Sequence, residues 1–349
     1  MKVANHTFPH PIMNNNLPQR VPLSALTTLQ VGGSAAVWQV TTESELKEAI
    51  TYAEQQGLGW RVLGGGSNVL APDEGVRDLV LNLKLAEQQV TKTDDHVLLT
   101  VEAGATLDEV IQQTVEQGWW GLENLSHIPG TVGATPIQNV GAYGVEAKDV
   151  IASVRVFDPN DQSVSEWSVA DCQFGYRTSA FKRPENAHRI VTAVTYKLAT
   201  AAHPKLTYRD LAEAFPHGTT DQAAIRSAII EIRSRKFPDW HTVGTAGSFF
   251  KNPIIPLEQF QTLQATYPDL PGFPVAKDTY KVPLGYILDK ILGLRGVSEG
   301  AVGTYEGQAL VIINHGGATA AEITAFAERI TTAVKDETGI AVEWEVTRW

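Results

Sequence analysis

Apolar residues recur at three- and four-residue spacing in four stretches of the chain, which is the pattern of amphipathic helices. Three of these stretches begin with Thr-x-x-Glu, the sequence of a capping box, and end at a glycine. The helices are predicted to begin after Thr42, Thr106, Asp221 and Thr319. The helix after Asp221 ends in three basic residues, whose charge is favourable at a helix C-terminus.

Shorter apolar runs between these helices predict strands. The predicted strands are Trp38–Thr41, Trp60–Leu63, Leu79–Leu83, Val97–Val101, Val154–Phe157, Ile190–Leu198, Ala309–Asn314 and Val342–Val346. Helices and strands alternate irregularly, and antiparallel hairpins are expected within residues 79–103 and 151–198. The pattern therefore predicts the α+β fold class rather than a doubly wound parallel sheet.

The last predicted strand alternates apolar and acidic positions. Val342, Trp344 and Val346 share one face of such a strand, and Glu343 and Glu345 share the other, with the two carboxylates roughly 7 Å apart. Two glutamates on one face of a strand usually form the solvent side of a sheet. The alternation also allows one of them to turn inward toward a site.

The composition indicates a folded enzyme of two or three domains. The chain has 349 residues, of which 43% are hydrophobic and 19% are charged. Its net charge of −11 argues against a nucleic-acid or anionic-membrane partner. Cys172 is the only cysteine, so a disulfide within the chain is impossible, and a reducing, cytoplasmic location is expected.

The N-terminal stretch lacks the features of a targeting segment. It contains no apolar core of a signal peptide, and no segment of the sequence has the ~18 consecutive apolar residues of a transmembrane helix. Residues 1–17, rich in Asn, His and Pro, are expected to form a loosely ordered extension. A domain boundary is expected near Phe237–Asp239, where the helix after Asp221 stops and a Pro- and Gly-rich stretch follows.

Two glycine-rich loops are the clearest sign of a ligand site. Residues 127–144 contain four glycines and two prolines but no Asp, Glu, Lys or Arg, although surface loops usually carry charge. Residues 64–68 read Gly-Gly-Gly-Ser-Asn and follow an apolar run. Glycine lets the main chain approach a ligand closely, and main-chain N–H groups can hold phosphate without a lysine. The triple glycine alone predicts a tight turn, but the two loops together favour one extended, anionic cofactor.

Several common site motifs are absent from the sequence. It contains neither G-x-G-x-x-G nor G-x-x-x-x-G-K-[ST], and neither H-E-x-x-H nor C-x-x-C. The nine histidines form no i, i+4 pair on a predicted helix, which argues against a histidine zinc site. We therefore predict a mechanism without a metal ion.

Two further clusters contain candidate catalytic side chains. In Gly247–Pro253, Ser248 either ends a turn beside core phenylalanines or aims its hydroxyl into a site. A serine hydroxyl is a weak acid, so it protonates only a strongly basic centre such as a carbanion or enolate. A nucleophilic serine is the other possibility, although no G-x-S-x-G pattern surrounds it. Arg177, in Tyr176–Lys182, suits bidentate capture of a carboxylate or phosphate, or else forms a surface ion pair.

Taken together and in order, these segments resemble the UDP-N-acetylenolpyruvoylglucosamine reductases of bacterial cell-wall synthesis. The matching segments are Leu63–Leu70, Ile128–Gly133 with Pro136–Asn139 and Gly141–Gly144, Tyr176–Lys182, Gly247–Pro253 and Glu343–Val346. The resemblance runs from about residue 18 to the end, and the retained 240–290 region resembles the family's longer type with an extra substrate-covering loop. Thr178 and Trp344 depart from the family pattern, and the covering-loop contact is left open among Tyr267, Phe273 and Tyr280.

The resemblance implies a vanillyl-alcohol-oxidase-like FAD-binding fold of two α+β subdomains, together with a third α+β domain that binds substrate. The implied division is 18–84 and 85–237 for FAD-binding subdomains 1 and 2, and 238–339 for the substrate-binding domain. The C-terminal strand, 340–349, is expected to return to the FAD-binding region. The implied enzyme is a monomer with non-covalently bound FAD and no nucleic-acid or membrane partner. It uses NADPH to reduce the enolpyruvyl ether of UDP-N-acetylglucosamine to UDP-N-acetylmuramate.

The same resemblance implies roles for individual residues. Hydride from flavin N5 adds to the vinyl methylene carbon, Arg177 binds the adjoining carboxylate, Glu345 helps to stabilise the enediolate-like intermediate, and Ser248 delivers the proton. The residues implied to contact FAD are Gly64, Gly65, Gly66, Ser67, Asn68, Val69, Ile128, Pro129, Gly130, Gly133, Ala134, Gln138, Asn139, Gly141, Ala142 and Tyr143. The residues implied to hold the UDP-sugar are Tyr208, Lys236, Asn252 and Gln308, with Lys236 as a point charge for the diphosphate.

Two other functions compete with this one. Another flavoprotein of the same fold, such as an FAD-linked oxidase or hydroxy-acid dehydrogenase, needs the glycine loops but has no use for Ser248 with Arg177 and Glu345. A non-catalytic module that binds a nucleotide sugar needs no flavin. Rapid reoxidation of the flavin by oxygen with turnover of an alcohol favours the first alternative, and a colourless protein favours the second.

Overall fold

A computed structural model describes residues 17–349, which form three larger β-sheets with helices packed against them. Residues 1–16, and with them nearly all of the expected N-terminal extension, lie outside the described residues. Within the described part, no helix is both long enough and apolar enough to cross a membrane. The combination of mixed and antiparallel sheets with separate helices is the α+β class that the sequence predicts.

The first sheet carries the shorter glycine loop. Its elements are β1 (Gln19–Pro22), β2 (Ser34–Val40), α1 (Glu43–Gln55), β3 (Trp60–Leu63), β4 (Val69–Leu70) and β5 (Leu79–Leu83). The strand order is β1-β2-β5-β3, with β1 antiparallel to β2 and the other two pairs parallel. Helix α1 buries its predicted apolar face against this sheet. The glycine loop therefore leaves the sheet at the carboxyl end of β3, an edge where α/β proteins often bind ligands.

The second sheet is antiparallel and supports the longer glycine loop. Its strands are β6 (Gln88–Lys92), β7 (His96–Glu102), β10 (Ile151–Asp158), β11 (Ser163–Ser168) and β12 (Ile190–Ala199), and the hairpin β8 (Gly141–Ala142) and β9 (Val145–Glu146) lies within the loop. The strand order is β11-β10-β12-β7-β6. The expected hairpin within 79–103 forms between β6 and β7 only, because β5 is the buried parallel strand of the first sheet.

Four helices accompany the second sheet, namely α2 (Leu107–Glu116), α3 (Val169–Cys172), α4 (Arg209–Ala214) and α5 (Gln222–Lys236). Helix α2 packs on the sheet through Leu107, Val110 and Ile111. Helix α5 forms a smaller cluster with Trp120 and Tyr143 of the loop region. Because α5 packs beside this loop, it brings its basic end toward the same region.

The third sheet has the order β13-β19-β18-β17 and is antiparallel throughout. Its elements are β13 (Gly244–Ser248), β17 (Ser298–Glu299), β18 (Val302–Tyr305), β19 (Gln308–Asn314) and the covering helix α8 (Ala320–Thr338). A smaller sheet, β14 (Ile254–Pro256), β16 (Thr279–Lys281) and β15 (Phe273–Ala276), follows β13, together with α6 (Leu257–Thr266) and α7 (Leu284–Tyr286). Helix α7 continues into a π-helical turn over Ile287–Ile291.

All four predicted helices are present, and three of their N-caps contain a predicted contact. Thr319 and Glu322 form the full reciprocal capping box at α8, and the side chain of Asp221 caps α5. At α1, Thr42 accepts a hydrogen bond from the Glu45 N–H. The Glu45 carboxylate bonds to the residue before Thr42, so only one half of that box is as predicted.

The predicted capping box at Thr106 is wrong, although helix α2 begins where expected. The Thr106 side chain makes no cap bond. Its main chain instead forms a β-bridge with Thr131, and the Leu107 N–H donates to the Gly130 carbonyl oxygen at 3.1 Å. A long-range contact with the longer glycine loop thus replaces the local cap.

The predicted strand Val342–Val346 is also wrong in extent. Only Trp344 pairs in this range, through an isolated bridge to Phe250. A two-residue strand follows as β20 (Thr347–Arg348), which runs parallel to β4. The C-terminal segment thus runs from the region of the third sheet to β4, the two-residue strand that directly follows the shorter glycine loop.

Candidate active site

A cavity of about 990 Å³ lies where the three sheet regions meet. This volume is at the upper end of the range of about 300–1,000 Å³ for small-molecule and cofactor sites. The predicted site residues on its wall are Gly64–Val69, Ile128–Gly130, Gly133, Ala134, Gln138, Gly141–Tyr143, Arg177, Tyr208, Lys236, Ser248, Asn252, Gln308 and Glu345. The fold therefore brings together almost all of the residues that the sequence singles out.

The two glycine-rich loops, taken as residues 63–69 and 127–144 and here called the cofactor loops, touch each other through glycine. A Cβ atom at Gly65 would lie 2.8 Å from the Cα atom of Gly130. A Cβ atom at Gly64 would lie 2.5 Å from the Thr131 hydroxyl. Both distances are too short for a side chain, so glycine is required for the loops to approach each other.

Side chains hold the cofactor loops in this arrangement. The Ser67 hydroxyl donates to the Pro129 carbonyl oxygen at 3.1 Å. The amide of Asn82, in β5, donates to the carbonyl oxygens of Leu63 at 3.0 Å and Gly64 at 3.1 Å. The sequence analysis missed Asn82, although a single polar residue within the apolar run Leu79–Leu83 is a visible signal.

The cofactor loops fit a bound dinucleotide such as FAD. They contain no acidic side chain, and the close approach at Gly65 leaves main chain rather than side chains on the wall. Main-chain N–H groups in such loops bind phosphate oxygens. Among residues 17–349, no group of three or more His, Cys, Asp or Glu side chains is arranged to hold a metal ion.

Asn139 is the one predicted cofactor residue that does not lie on the cavity wall. It is fully buried. Its amide donates to Glu146 Oε2 and to the Gly175 carbonyl oxygen, each at 3.0 Å, and its side-chain oxygen accepts from the Lys148 N–H at 3.0 Å. The side chain is thus occupied in holding the loop itself, at a residue whose own φ is +48°.

An ion-pair network anchors the start of the longer cofactor loop. Arg226 of α5 binds Asp108 of α2 through two hydrogen bonds of 2.6 and 2.9 Å, and Asp108 also accepts from the His127 N–H. Arg233 donates to the His127 carbonyl oxygen at 3.0 Å. Burial lowers the pKa of His127, so this residue stays neutral within the network.

Three side chains, Arg177, Ser248 and Glu345, form what we call the reacting centre. Arg177 Nη2 donates to the Gly141 carbonyl oxygen at 2.8 Å, and its Nε lies 2.7 Å from Glu345 Oε1. The backbone of Arg177 has a φ of +52°, an unusual value for a residue other than glycine. Such strain is characteristic of functional positions, where surrounding contacts hold the side chain in place.

Glu345 is the glutamate that turns inward, and its side chain is only 12% exposed. Its main chain is fixed from both sides, because its N–H donates to the Phe249 carbonyl oxygen at 2.9 Å and its carbonyl oxygen accepts from Asn68 at 3.1 Å. Burial raises the pKa of the Glu345 carboxyl above its ordinary value, against the opposing effect of Arg177. Glu343, in contrast, is exposed and pairs with Lys251 at 2.8 Å.

Lys182 adds positive charge beside the reacting centre and also lines the cavity. Its Nζ donates to the Arg177 carbonyl oxygen at 3.4 Å. Burial, together with the nearby Lys251, lowers the pKa of Lys182. The centre thus combines one buried carboxyl group with several cations, which favours an anionic substrate.

Ser248 is the last residue of β13 and lies on the cavity wall. The next two residues, Phe249 and Phe250, are completely or almost completely buried and pack edge-to-face on Trp344. The phenylalanines are thus core residues, as one of the two interpretations of this segment predicts, while Ser248 itself lines the cavity. Because the phenylalanines are core residues, they fix the end of the strand from which Ser248 projects.

The residues predicted to hold the UDP-sugar form another part of the wall. Tyr208 is 43% exposed and packs edge-to-face on Tyr143 at 5.2 Å between ring centroids. Burial raises the pKa of Tyr143 to about 12. Lys236 forms an ion pair with Asp210 at the end of α5. This part of the wall therefore presents an aromatic platform beside a cation.

Tyr286, Lys290 and Arg295 also line the cavity and were missed by the sequence analysis, since they follow no recognisable motif. Of the covering-loop candidates, Tyr267 contacts Glu337 and Tyr280 stacks on Phe260, whereas Phe273 is 55% exposed. None of the three candidates lies on the described cavity wall. In this structure Tyr286 is the tyrosine that this region contributes to the wall.

Two protein families match the chain. The family described as FAD binding domain matches residues 34–165. The family described as UDP-N-acetylenolpyruvoylglucosamine reductase, C-terminal domain, matches residues 239–349. The first match includes both cofactor loops, and the second includes Ser248 and Glu345.

Whole-chain relatives carry the same name. The UDP-N-acetylenolpyruvoylglucosamine reductase of Bdellovibrio bacteriovorus is 38% identical over 331 residues, covering 94% of this chain and 98% of that protein. The enzyme of Cupriavidus pinatubonensis is 41% identical over 307 residues, covering 88% and 91%. The crystal structure of UDP-N-acetylenolpyruvylglucosamine reductase from Thermus caldophilus superposes with a TM-score of 0.69 at 27% identity, covering 95% and 98%.

Proposed function

Because the chain belongs to the family of UDP-N-acetylenolpyruvoylglucosamine reductases, we propose that it reduces the enolpyruvyl ether of UDP-N-acetylglucosamine to UDP-N-acetylmuramate for peptidoglycan synthesis. Its cofactor is FAD, and NADPH is the reductant that we propose. The observation that carries the proposal is the convergence of Ser248, Arg177 and Glu345, from three distant segments, on one cavity beside the cofactor loops.

FAD supplies, when bound and reduced, the hydride that the vinyl methylene carbon of the substrate receives. We assign its binding to the cofactor loops, since their glycines leave the main chain open to a closely fitting anionic ligand. Asn82 and Ser67 keep the two loops in register through their bonds to loop carbonyl oxygens.

Arg177 binds the substrate carboxylate in this proposal. A guanidinium carries five N–H donors, and the bond from Nη2 to Gly141 fixes its plane while leaving others for a ligand. The carboxylate lies next to the carbon that becomes negatively charged after the methylene carbon is reduced. A fixed cation at this place therefore stabilises the transition state more than the ground state.

Glu345 acts as a hydrogen-bond donor to the same developing charge. A carboxylic acid can donate only while it is protonated, and burial favours this form by raising the pKa of Glu345. Arg177, Lys182 and Lys251 oppose this shift of the Glu345 pKa through their positive charge.

Ser248 delivers the proton that completes the reduction. Hydride addition to the methylene carbon leaves a carbanion-like neighbouring carbon, and this centre is basic enough to take a proton from a serine hydroxyl. One hydride and one proton are thus added across the double bond, giving the lactyl ether. Because Ser248 projects from one fixed strand end, the proton arrives on one face of that carbon.

The remaining assignments concern the nucleotide part of the substrate and the domains. We propose that Tyr208, Lys236, Asn252 and Gln308 hold the UDP-sugar, supported by their common place on the cavity wall. We also propose the division into 18–84, 85–237 and 238–339, with 340–349 returning to the FAD-binding region. The separate sheets and the pairing of β20 with β4 support it.

The competing functions explain less of the site. An FAD-linked oxidase of the same fold does not need a serine hydroxyl together with an arginine and a buried carboxyl group. A module that only binds a nucleotide sugar does not need the FAD binding domain. The reductase uses both features, and we prefer it for that reason.

An anaerobic spectrum of the purified, FAD-loaded protein tests the proposed function. NADPH should bleach the visible flavin absorbance, and the enolpyruvyl ether of UDP-N-acetylglucosamine should then restore it. A flavin that stays bleached after this addition contradicts the proposed substrate. Fast recovery with oxygen and turnover of an alcohol instead identifies an oxidase. If the purified protein shows no flavin absorbance after incubation with FAD and removal of the unbound FAD, the non-catalytic module is supported.

A further inference from the structure

The strand that carries Ser248 contains a β-bulge. In the pairing of β13 with β19, Thr245 lies opposite Ile313 and Ser248 lies opposite Val311. Two residues of β13 therefore face one residue of β19 between these pairs. This two-against-one arrangement defines a β-bulge, a feature that often re-aims a side chain next to an active site.

The bulge sets the register of Ser248 against β19. In a regular ladder that continued from Thr245, Ser248 would lie opposite Leu310 rather than Val311. Successive side chains of a strand point to opposite faces, so a shift of one residue moves a side chain to the other face. The extra residue thus fixes which residue of β19 lies opposite Ser248, at a position of the strand that lines the cavity.

The hydroxyl of Thr245 stabilises the bulge through two hydrogen bonds. It donates to the Ile312 carbonyl oxygen at 3.0 Å and accepts from the Gly247 N–H at 3.1 Å. Thr245 is 5% exposed, so water does not compete freely for either bond. Gly247 has a φ of +72°, a conformation that glycine adopts without strain.

The same threonine connects the bulge to the shorter cofactor loop. The Thr245 N–H donates to the Thr28 carbonyl oxygen at 2.9 Å, and the Thr28 hydroxyl donates to the Thr245 carbonyl oxygen at 2.6 Å. The Thr28 N–H in turn donates to the Gly66 carbonyl oxygen at 3.1 Å. A short path of hydrogen bonds therefore joins Gly66, on the cavity wall, to the residue next to Ser248.

We propose that Thr245 is a positioning residue, which sets the place of the Ser248 hydroxyl relative to the cofactor loops. The inference rests on the proposed role of Ser248 as proton donor. Thr245 itself is not on the cavity wall, so it acts through the bulge and not on the substrate. Its effect should therefore be confined to the step in which the proton is delivered.

Thr245→Val tests this role, because it keeps the shape of the side chain and removes both hydrogen bonds. Reoxidation of the reduced flavin by the enolpyruvyl substrate should slow roughly 10–100-fold, since misplacing a reacting group by about 1 Å can cost 10²-fold. Flavin reduction by NADPH and the apparent Kd of FAD should stay unchanged. Thr245→Ser, which keeps the hydroxyl, should restore most of the rate.

Thr338→Val is a matched control. The Thr338 hydroxyl also donates to a carbonyl oxygen, that of Val334, and accepts from a main-chain N–H, that of Ile340, but it lies at the end of α8. This variant should lose stability without slowing the sugar half-reaction.

Other outcomes separate this inference from the proposed function. If Thr245→Val reoxidises at the normal rate while Ser248→Ala does not, the positioning role is wrong and the proton donor stands. If both variants react normally, the assignment of Ser248 fails as well. Equal slowing of both half-reactions, or no rescue by serine, identifies a general structural role and overturns the inference.

Discussion

The cofactor loops and the reacting centre share one cavity but are assembled by different means. The loops present main chain, and each is a continuous segment with its glycines placed by local sequence. The reacting centre presents side chains, from residues 177, 248 and 345, that share one cavity only because distant parts of the chain pack together. One region is therefore encoded locally and the other by the tertiary fold.

This difference has a consequence for substitutions. At the loops, the important property is the absence of a side chain, because a Cβ atom at Gly65 would collide with Gly130. At the reacting centre, the important property is a functional group at a defined place. Changes in the loops should therefore weaken cofactor binding, whereas changes in the centre should spare binding and slow the chemistry.

The largest effect is expected for Ser248→Ala. General acid catalysis is worth about 10²–10⁴-fold, so reoxidation of the flavin by the enolpyruvyl substrate should slow by that factor. The variant should keep its FAD and accept electrons from NADPH at the normal rate. Stopped-flow absorbance under nitrogen measures the two half-reactions separately.

Ser67→Ala is the matched control, since Ser67 is a serine of the same cavity that bonds only to a loop carbonyl oxygen. It should weaken the binding of FAD slightly and leave the sugar half-reaction intact. If Ser248→Ala turns over at the normal rate, the reacting centre does not supply the chemistry while the cofactor loops supply the binding.

A smaller effect is expected for Gly65→Val. Overpacking typically costs about 1–3 kcal/mol, which corresponds to roughly 5–150-fold in the Kd of FAD if the loops must separate to admit the side chain. Fluorescence titration of the FAD-free protein measures this constant.

Gly118→Ala is the comparison, because a Cβ atom there meets nothing within 4 Å. Gly118→Ala should lower the stability, because Gly118 has a positive φ, but it should not change the Kd of FAD. If Gly65→Val binds FAD as tightly as the parent protein, the close approach of the cofactor loops is not required for FAD binding.

The smallest effect concerns the pH dependence of stability at the two C-terminal glutamates. Because the pKa of Glu345 is raised in the folded protein, the native state holds a proton there that the unfolded chain has lost. Its contribution to the free energy of unfolding therefore falls as pH rises from the ordinary value of 4.5 through the raised pKa. Glu345→Gln should remove this fall, so the variant gains stability relative to the parent across that window.

Glu343→Gln should behave in the opposite sense. The bond to Lys251 lowers the pKa of Glu343, so its stabilising contribution is present above 4.5 and is lost as pH falls through the lowered pKa. Thermal unfolding followed by circular dichroism across this pH range measures both variants. If the stability of both variants relative to the parent changes with pH in the same direction, burial does not raise the pKa of Glu345 as proposed.

Much of the local structure is predictable from the sequence, because its causes act within a few residues. Helix positions follow from apolar spacing, and the cap at Thr319 follows from the hydroxyl and carboxylate beside it. The cap at Thr106 fails because a contact with Thr131, distant in sequence, replaces the local one. A contact distant in sequence also keeps Asn139 off the cavity wall, since its amide bonds to Gly175 inside the protein.

The sequence by itself determined the four helices, the two glycine-rich loops and the family to which their order belongs. Only the tertiary structure decided that Glu345 faces the cavity while Glu343 faces Lys251, and that a bulge in β13 sets the register of Ser248. The physical reason is the distance along the chain over which each kind of interaction acts. Backbone propensity and glycine freedom act on neighbouring residues, whereas the face of a side chain in a strand depends on the register with a partner strand far along the chain.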